Sequence, residues 1–440
     1  MRRPGWMPLA GGALVLLMLG GAAVHLPGEG NPGSEDRQQI FVSVGLVAVA
    51  VYFLAVARVL RRPLGDRALW LVLGVACAMR LVTLVAPPFL SSDVYRYVWD
   101  GRVQNAGINP YLMVPADPAL RSLRDGAIFP RINRADYAST VYPPMAQLIF
   151  RVVGWFGESV LAMKLAMLGF DIVAMLAMLW LLGRAGLDRC RVLIYAWNPV
   201  VAWEFAGNAH IDAAVIGFVA LAMVARVAGR RVLAGAILGA AVLTKFFPLA
   251  LFPAFWRWRE RLAMPAVLIG IVVLCYLPFV GAGMHLLGFL PGYVQEEHLV
   301  GGSGIYWLDL LGRVVALPDY AGAVWVGVAG LGLAALAGWM LFFRDEAPSL
   351  VLHPVTVGRD VAVLMTAVVV AVTPHYTWYF VWLALPACLA AYPSVIYLSV
   401  AAIVQYHDPF DGALPAFSII YLPFVVLLQH DLRRSAARSF

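Results

Sequence analysis

The sequence has few charged residues for its length. Asp, Glu, Lys and Arg make up 13% of the 440 residues, against about 25% in typical soluble domains. Hydrophobic residues make up 62%, and the mean hydropathy is +0.81. This composition excludes a soluble globular protein and indicates a chain that lies mostly within a membrane.

Cysteine and lysine are also scarce. The four cysteines are Cys77, Cys190, Cys275 and Cys388. None belongs to a CxxC pair, so the sequence predicts neither a disulfide framework nor a zinc site. The only lysines are Lys164 and Lys245, so the net charge of +7 comes almost entirely from arginine. The arginines cluster in short loops, which indicates membrane topology rather than nucleic-acid binding.

Apolar runs recur along the whole chain, and many approach the ~20 residues that cross a bilayer. We therefore predict an all-α, polytopic integral membrane protein that forms one domain over residues 1–440, with about 11–14 membrane helices. Two loops, 87–141 and 280–320, are expected on the outer side, and the first should contain juxtamembrane helices. Arginines near both ends of the chain place both termini in the cytoplasm.

Two apolar segments are not expected to be single membrane crossings. Residues 145–156 are too few to span comfortably. Residues 232–255 have arginines before and after them, so both ends should lie on the cytoplasmic side. We interpret this second segment as a hairpin of two short helices with Lys245 at its tip. Irregular backbone at that depth requires burial in protein or a wet cavity.

This topology gathers polar residues at the outer ends of the spans. Asp93 is the first acid after the span that ends near Val85, and it begins the long outer loop. A carboxylate at that depth costs free energy unless it is paired or faces a cavity, which favours a functional role. The alternative is that Asp93 only caps a short interfacial helix.

Lys245 has no acid nearby in sequence. An ammonium at a hairpin tip within a helix bundle needs an anion, and a lipid-linked phosphate would supply one. The alternative is that Lys245 extends to a lipid headgroup as an anchor. His210 and Asp212 flank a broken helix, and the alternative to a functional role is that they only cap its ends. His375 follows Thr373-Pro374 and has an interfacial polar position as its alternative.

Several stretches together resemble the GT-C superfamily of membrane glycosyltransferases, and most closely the bacterial polyprenol-phosphate-mannose-dependent mannosyltransferases. The matching stretches are DVYRYVWDGRV at 93–103, GINPY at 107–111, VYPPMAQ at 141–147, WNP at 197–199, GNAHID at 207–212 and LTKFFP at 243–248, with TPHYTWY at 373–379 as a weaker match. The resemblance covers residues 93–383. It implies a GT-C-like fold, a lipid-phosphate sugar donor, an outer active site and an inverting transfer.

The resemblance also implies roles for particular residues. Asp93 would be the catalytic base. For the donor phosphate we expect Lys245, Arg96, His210 and His375. For the sugar or acceptor we expect Asp100, Asn208, Asp212, Tyr142 and Tyr376. The Asp-x-Asp form of the first motif is absent, because position 95 is Tyr, so we expect no metal requirement.

The expected function is transfer of one sugar, mannose by resemblance, from a polyprenyl-phosphate donor to a glycan or glycolipid acceptor. It would take place at the outer face of a bacterial inner membrane, with membrane lipid as a further partner and no nucleic acid. Two alternatives remain open. One is a lipid or polysaccharide transporter, which would need polar residues at mid-membrane and on both faces. The other is an oligosaccharide ligase or phosphotransferase that uses a similar donor.

Overall fold

A computed structural model describes residues 5–25, 34–296, 304–343, 351–407 and 413–436. Some features of the sequence analysis lie outside the described residues. These are Arg2, Arg3, part of the loop after the first span, residues 297–303, Arg344, residues 408–411 and Arg438.

The described part of the chain is helical and contains no strand, which confirms the predicted all-α class. The first helices are α1 (Met7–Val24), α2 (Ser34–Arg61), α3 (Asp66–Val85), α4 (Asp93–Asn105), α5 (Pro144–Phe156), α6 (Val160–Arg184), α7 (Leu193–Ala196), α8 (Pro199–Ala202), α9 (Asp212–Val227) and α10 (Arg231–Thr244). The others are α11 (Phe252–Phe255), α12 (Ala263–Tyr276), α13 (Leu290–Glu296), α14 (Tyr306–Gly312), α15 (Ala321–Gly338), α16 (Pro354–Val372), α17 (Ala384–Ala390), α18 (Pro393–Ala401) and α19 (Ala413–Ala436).

Eight helical segments in the described ranges are long and apolar enough to cross a membrane. A bent pair, Pro199–Gly207 and Asp212–Val227, raises this number to nine when it is counted as one span. Three shorter apolar segments complete the set: Arg231–Thr244, Thr377–Ala390 and Pro393–Tyr406. The predicted 11–14 membrane helices are therefore reached only when these shorter segments are counted. The protein is a multi-pass membrane protein.

The bent pair forms the centre of the bundle. Asn198 begins it, because its side-chain oxygen accepts hydrogen bonds from the amides of Val200 and Val201 at 3.0 and 3.3 Å. A π-helical turn over Trp203–Gly207 follows, and the chain then bends by 113° into α9. π-helical turns within membrane helices are frequent at functional sites. Helix α9 packs between α6 and α10 and is buried along most of its length.

The hairpin predicted around Lys245 is present. Helix α10 ends at Thr244, the backbone of Lys245 is extended, and a 3-10 turn over Phe247–Leu251 leads back through α11. The two ends of the hairpin meet, since Glu260 lies 3.4 Å from Arg231 and also pairs with Arg226. Lys245 therefore lies at the opposite end of the bundle from these charges.

The first loop packs on the bundle through α4, which lies against α5. Tyr97 stacks on Phe150 with ring centroids 4.6 Å apart. The two helices approach so closely at Gly101 that a Cβ there would be 2.4 Å from the Phe150 carbonyl oxygen. Only glycine fits this position without moving the backbone. The contact holds α4, the helix that begins at Asp93, closely against α5.

Candidate active site

A cavity of about 1320 Å³ opens at the end of the bundle where α4 begins, and both Asp93 and Lys245 line it. Its walls come from the first loop, the hairpin tip, α13 and the segment that follows α16. These elements are far apart in sequence, so the cavity exists only in the folded chain. Its volume exceeds the roughly 300–1,000 Å³ of a pocket for one small ligand.

Asp93 is held by two side chains, one in the first loop and one directly after it. Its Oδ1 accepts a hydrogen bond from Asn133 Nδ2 at 2.8 Å, and its Oδ2 accepts one from the Tyr142 hydroxyl at 3.2 Å. Asp93 is the first residue of α4, and Ser92 at the N-cap makes no side-chain capping bond. These contacts argue against capping as the only role of Asp93, because its oxygens bind side chains of the cavity wall.

Tyr142 remains protonated beside this carboxylate. Burial, and then the negative charge of Asp93, raise the pKa of the Tyr142 phenol well above its usual value. The phenol therefore keeps its proton and donates it in the hydrogen bond to Asp93. Because of this contact, Tyr142 holds the acid in addition to lining the cavity.

Lys245 has an acid partner that its sequence surroundings do not reveal. Its Nζ lies 2.9 and 2.8 Å from the two Asp212 oxygens, and Trp382 Nε1 donates to the same carboxylate at 2.7 Å. The expectation of an ammonium without a protein anion is therefore wrong. Lys245 still faces the cavity, where its Nζ lies 4.3 Å from the centroid of the Tyr379 ring.

Arg96 is a buried cation in the cavity wall. Its Nε pairs with Asp100 Oδ1 at 2.8 Å, and its Nη1 donates to the Ala138 carbonyl at 3.1 Å. Its Nη2 is buried and has no hydrogen-bond partner among the described residues. A buried, unpaired guanidinium nitrogen is costly, so an acceptor within the cavity would relieve this cost.

Two further arginines of the first loop line the cavity. Arg134 pairs with Glu296 of α13 at 2.6 Å, which ties the first loop to the second. The guanidinium of Arg131 lies 5.4 Å from the Tyr95 ring centroid and donates to the Ala127 carbonyl. Asp93 is the only carboxylate among the residues described as lining the cavity. Among the charged residues of this wall the cations therefore outnumber the acid, which suits an anionic ligand.

The segment after α16 supplies the remaining predicted wall residues, His375 and Tyr376. His375 Nε2 is 2.8 Å from the Gly304 carbonyl oxygen, and Tyr376 stacks on Trp378 at 4.4 Å between centroids. All three side chains line the cavity. The aromatic pair adds apolar surface to this part of the wall.

Four predicted contact residues do not line the cavity: Asp100, Asn208, His210 and Asp212. All four are buried behind its wall. Asp100 holds Arg96 and accepts from Gln147, and Asp212 holds Lys245. The imidazole of His210 stacks on Trp378 at 4.1 Å. The sequence analysis assigned these four residues to direct contact with a ligand. In the structure they instead support residues that do face the cavity.

Glu204 belongs to the same buried group, and the sequence analysis missed it. It lies on the π-helical turn, its Oε2 is 3.3 Å from His210 Nε2, and it accepts a hydrogen bond from Tyr406. Its position could have been noticed in the sequence, because an acidic residue inside an apolar span is a functional candidate by default. Asn133 and Arg131 were also missed, since no periodic pattern predicts how their loop folds.

No group of three or more His, Cys, Asp or Glu side chains suited to a metal ion occurs in the described parts of the chain. The absence of a metal requirement remains a prediction.

The described helices define an all-α, multi-pass membrane protein, with a cavity at one end that one acid and several cations line. Residues 22–259 match the family model described as alpha-(1->6)-mannopyranosyltransferase, N-terminal domain. This match covers more than half of the chain, which therefore belongs to the MptA/B family.

A curated relative agrees with this assignment. The chain is 26% identical over 338 residues to alpha-(1->6)-mannopyranosyltransferase A of Mycobacterium tuberculosis. The aligned part is 70% of this chain and 63% of that relative, so the chain spans somewhat less than two thirds of the relative's length. No solved structure shows a significant match.

Proposed function

We propose that this protein is an inverting mannosyltransferase that moves one mannose from a polyprenyl-phosphate donor to a lipid or glycan acceptor. The observation that carries the proposal is that Asp93 and Lys245 line one cavity in a chain of a mannosyltransferase family. The cavity lies at the end of the bundle opposite the arginine-rich hairpin base. By the positive-inside rule this end faces the outside of the cell.

Asp93 would act as general base. Its carboxylate takes the proton of an acceptor hydroxyl while that oxygen forms a bond to the anomeric carbon of the donor. The bond from this carbon to the phosphate oxygen breaks on the opposite side, and the polyprenyl phosphate leaves with the electron pair. One displacement inverts the anomeric centre and needs no covalent enzyme intermediate.

Negative charge grows on the leaving phosphate, and the cationic wall would stabilise it. The unpaired Nη2 of Arg96 and the guanidinium of Arg131 can donate to phosphate oxygens. Lys245 adds positive charge, although Asp212 offsets part of it. Donors fixed in place before the reaction are effective in a water-poor site, because they need not reorganise.

The apolar part of the cavity would take the first isoprene units. Phe247, Val368, Val372 and Leu333 line it, which places α15 and α16 beside the hairpin tip. Gly322 is the only fully buried residue of α15, so most of this helix would face the surrounding lipid beside the cavity.

Two alternatives predict other products. A transporter would move a lipid without making a glycosidic bond, and a ligase or phosphotransferase would move a glycan block or a phosphate group. We would incubate the purified protein with polyprenyl-phosphate mannose and a mannoside acceptor and analyse the product by mass spectrometry. We expect one added hexose and free polyprenyl phosphate. Transfer of a block or of phosphate, or no transfer, would contradict the proposal.

Tyr142→Phe should slow transfer by about tenfold or more, because Asp93 loses a hydrogen bond to a charged group worth about 1.5–3 kcal/mol. Since Tyr142 holds the base, kcat should fall while the KM for the donor changes little. Tyr137→Phe is a matched control, since this exposed tyrosine does not line the cavity. Steady-state kinetics in detergent or nanodiscs measures both. Equal kcat for Tyr142→Phe and wild type would remove Tyr142 from the positioning of Asp93.

Transfer should continue in excess EDTA at an unchanged rate. A leaving monophosphate needs less neutralisation than a diphosphate, and the cavity wall already carries several cations. The measurement compares initial rates with EDTA and after adding back Mg²⁺ or Mn²⁺. A loss of activity in EDTA that either ion restores would show a metal requirement.

A further inference from the structure

A second cavity, of about 540 Å³, lies at the opposite end of α16 from the first. Arg359, in the second turn of α16, lines this cavity, whereas Val372 at the end of the helix lines the first. The first-cavity residue of α16 nearest to Arg359 is Val368, nine positions further along the helix, which is roughly 14 Å along the axis. The second cavity is therefore not an extension of the candidate active site.

Three arginines converge on this cavity from separate parts of the chain. Arg191 comes from the turn after α6, Arg359 from α16 and Arg434 from the last turns of α19. Within the described ranges, no carboxylate lies within ion-pair distance of any of them. By contrast, Arg96, Arg134 and Lys245 around the first cavity each have an acid partner.

Asp431 also lines the cavity but is already engaged. Its Oδ2 accepts hydrogen bonds from the Ser394 amide at 3.0 Å and from the Ser394 hydroxyl at 2.7 Å. The carboxylate thus serves the first turn of α18 and is not paired with the arginines. The rest of the wall is apolar, apart from Tyr392. Arg359 and Arg434 are exposed and Arg191 is half-buried, so this is an open basic pocket whose arginines are not paired with Asp431.

We infer that this cavity binds a phosphate ester, and that the ester is the headgroup phosphate of an anionic membrane lipid. Guanidinium groups match phosphate oxygens in geometry and charge. The cavity lies where α6, α16, α17, α18 and α19 begin or end, and basic pockets between the ends of membrane helices are typical lipid-phosphate sites. The apolar wall suits the glycerol and the first acyl carbons.

A ligand there would join three segments that are distant in sequence. A ligand that binds only the folded state raises apparent stability, by an amount that grows with the logarithm of its free concentration relative to its dissociation constant. The bound lipid should therefore stabilise the bundle and hold the start of α16, whose other end forms part of the active-site cavity. This inference does not depend on the transfer reaction.

The test uses the purified, delipidated full-length protein. Phosphatidylglycerol, phosphatidylcholine and inorganic phosphate are added in turn, with binding followed by native mass spectrometry and stability by the thermal midpoint. The variant is R191Q/R359Q/R434Q. The control is R61Q/R230Q/R433Q, which removes the same charge from exposed arginines that do not line the cavity.

Phosphatidylglycerol should bind and stabilise the wild type and the control, and its affinity for the triple variant should be weaker by about tenfold or more, equivalent to at least about 1.4 kcal/mol. Phosphatidylcholine should not substitute, since it has no net charge. If inorganic phosphate binds with the affinity of phosphatidylglycerol and the same dependence on the arginines, the site binds phosphate, but the lipid assignment is overturned.

Equal phosphatidylglycerol affinity for the triple variant and the control would overturn the site altogether, because general attraction to basic helix ends would explain both results. If the triple variant does not purify, R434Q alone against R433Q gives the same comparison on the exposed end of α19.

Discussion

Replacing Asp93 with asparagine should lower the rate of mannose transfer by about a hundred- to ten-thousand-fold, the usual contribution of a general base. Asparagine has nearly the same shape and can still accept a hydrogen bond from Tyr142, but it cannot take the proton of the acceptor hydroxyl. Folding and donor binding should therefore remain close to wild type. Turnover, donor affinity and the thermal midpoint, measured on one preparation, check all three.

The matched control for this substitution is Asp136→Asn. Asp136 lies in the same loop, is exposed and does not line the cavity. It should transfer mannose at the wild-type rate. Near-normal turnover by a folded Asp93→Asn protein would remove Asp93 from the mechanism, whatever the family assignment.

Lys245→Ala should destabilise the protein by about 3–5 kcal/mol, the usual cost of removing one partner of a buried ion pair. Asp212 is fully buried, and without Lys245 its charge keeps only the hydrogen bond from Trp382 as a described side-chain partner. We also expect donor binding to weaken more than acceptor binding. The single variant cannot separate these two effects, because a distorted hairpin tip would also impair the cavity.

The double variant Lys245→Met/Asp212→Asn separates stability from binding. The asparagine oxygen can still accept from Trp382, and no unpaired charge remains, so most of the lost stability should return. Donor binding should stay weak if the ammonium faces the phosphate. A double variant that recovers both stability and wild-type donor affinity would make Lys245 a purely structural residue. Thermal unfolding together with donor titration distinguishes the two results.

The fold was largely predictable from the sequence. The lengths of the apolar segments and the positions of the arginines both depend on how the chain crosses the membrane. The hairpin around Lys245 is the clearest case, since arginines at both ends of 232–255 required the segment to return. The number of long membrane helices was less predictable. Short helices such as α17 and α18 are buried by their neighbours and need not reach across a bilayer alone.

The sequence predicted which types of residue form the site, but not which of them contact one another. Polar residues at the outer helix ends do gather around one cavity, yet sequence position could not separate those in the wall from those behind it. Asp212 lies 33 positions from Lys245, and only the packing of α9 against α10 brings them together. Asn133 holds Asp93 across a 40-residue separation in an irregular loop, where no helical spacing indicates the contact.

The most direct test of the account is a structure of the Asp93→Asn protein with polyprenyl-phosphate mannose bound. We expect the phosphate in the 1320 Å³ cavity, within hydrogen-bond distance of Arg96, Arg131 or Lys245, and the anomeric carbon facing position 93. Donor phosphate bound outside this cavity, or a sugar turned away from position 93, would contradict it.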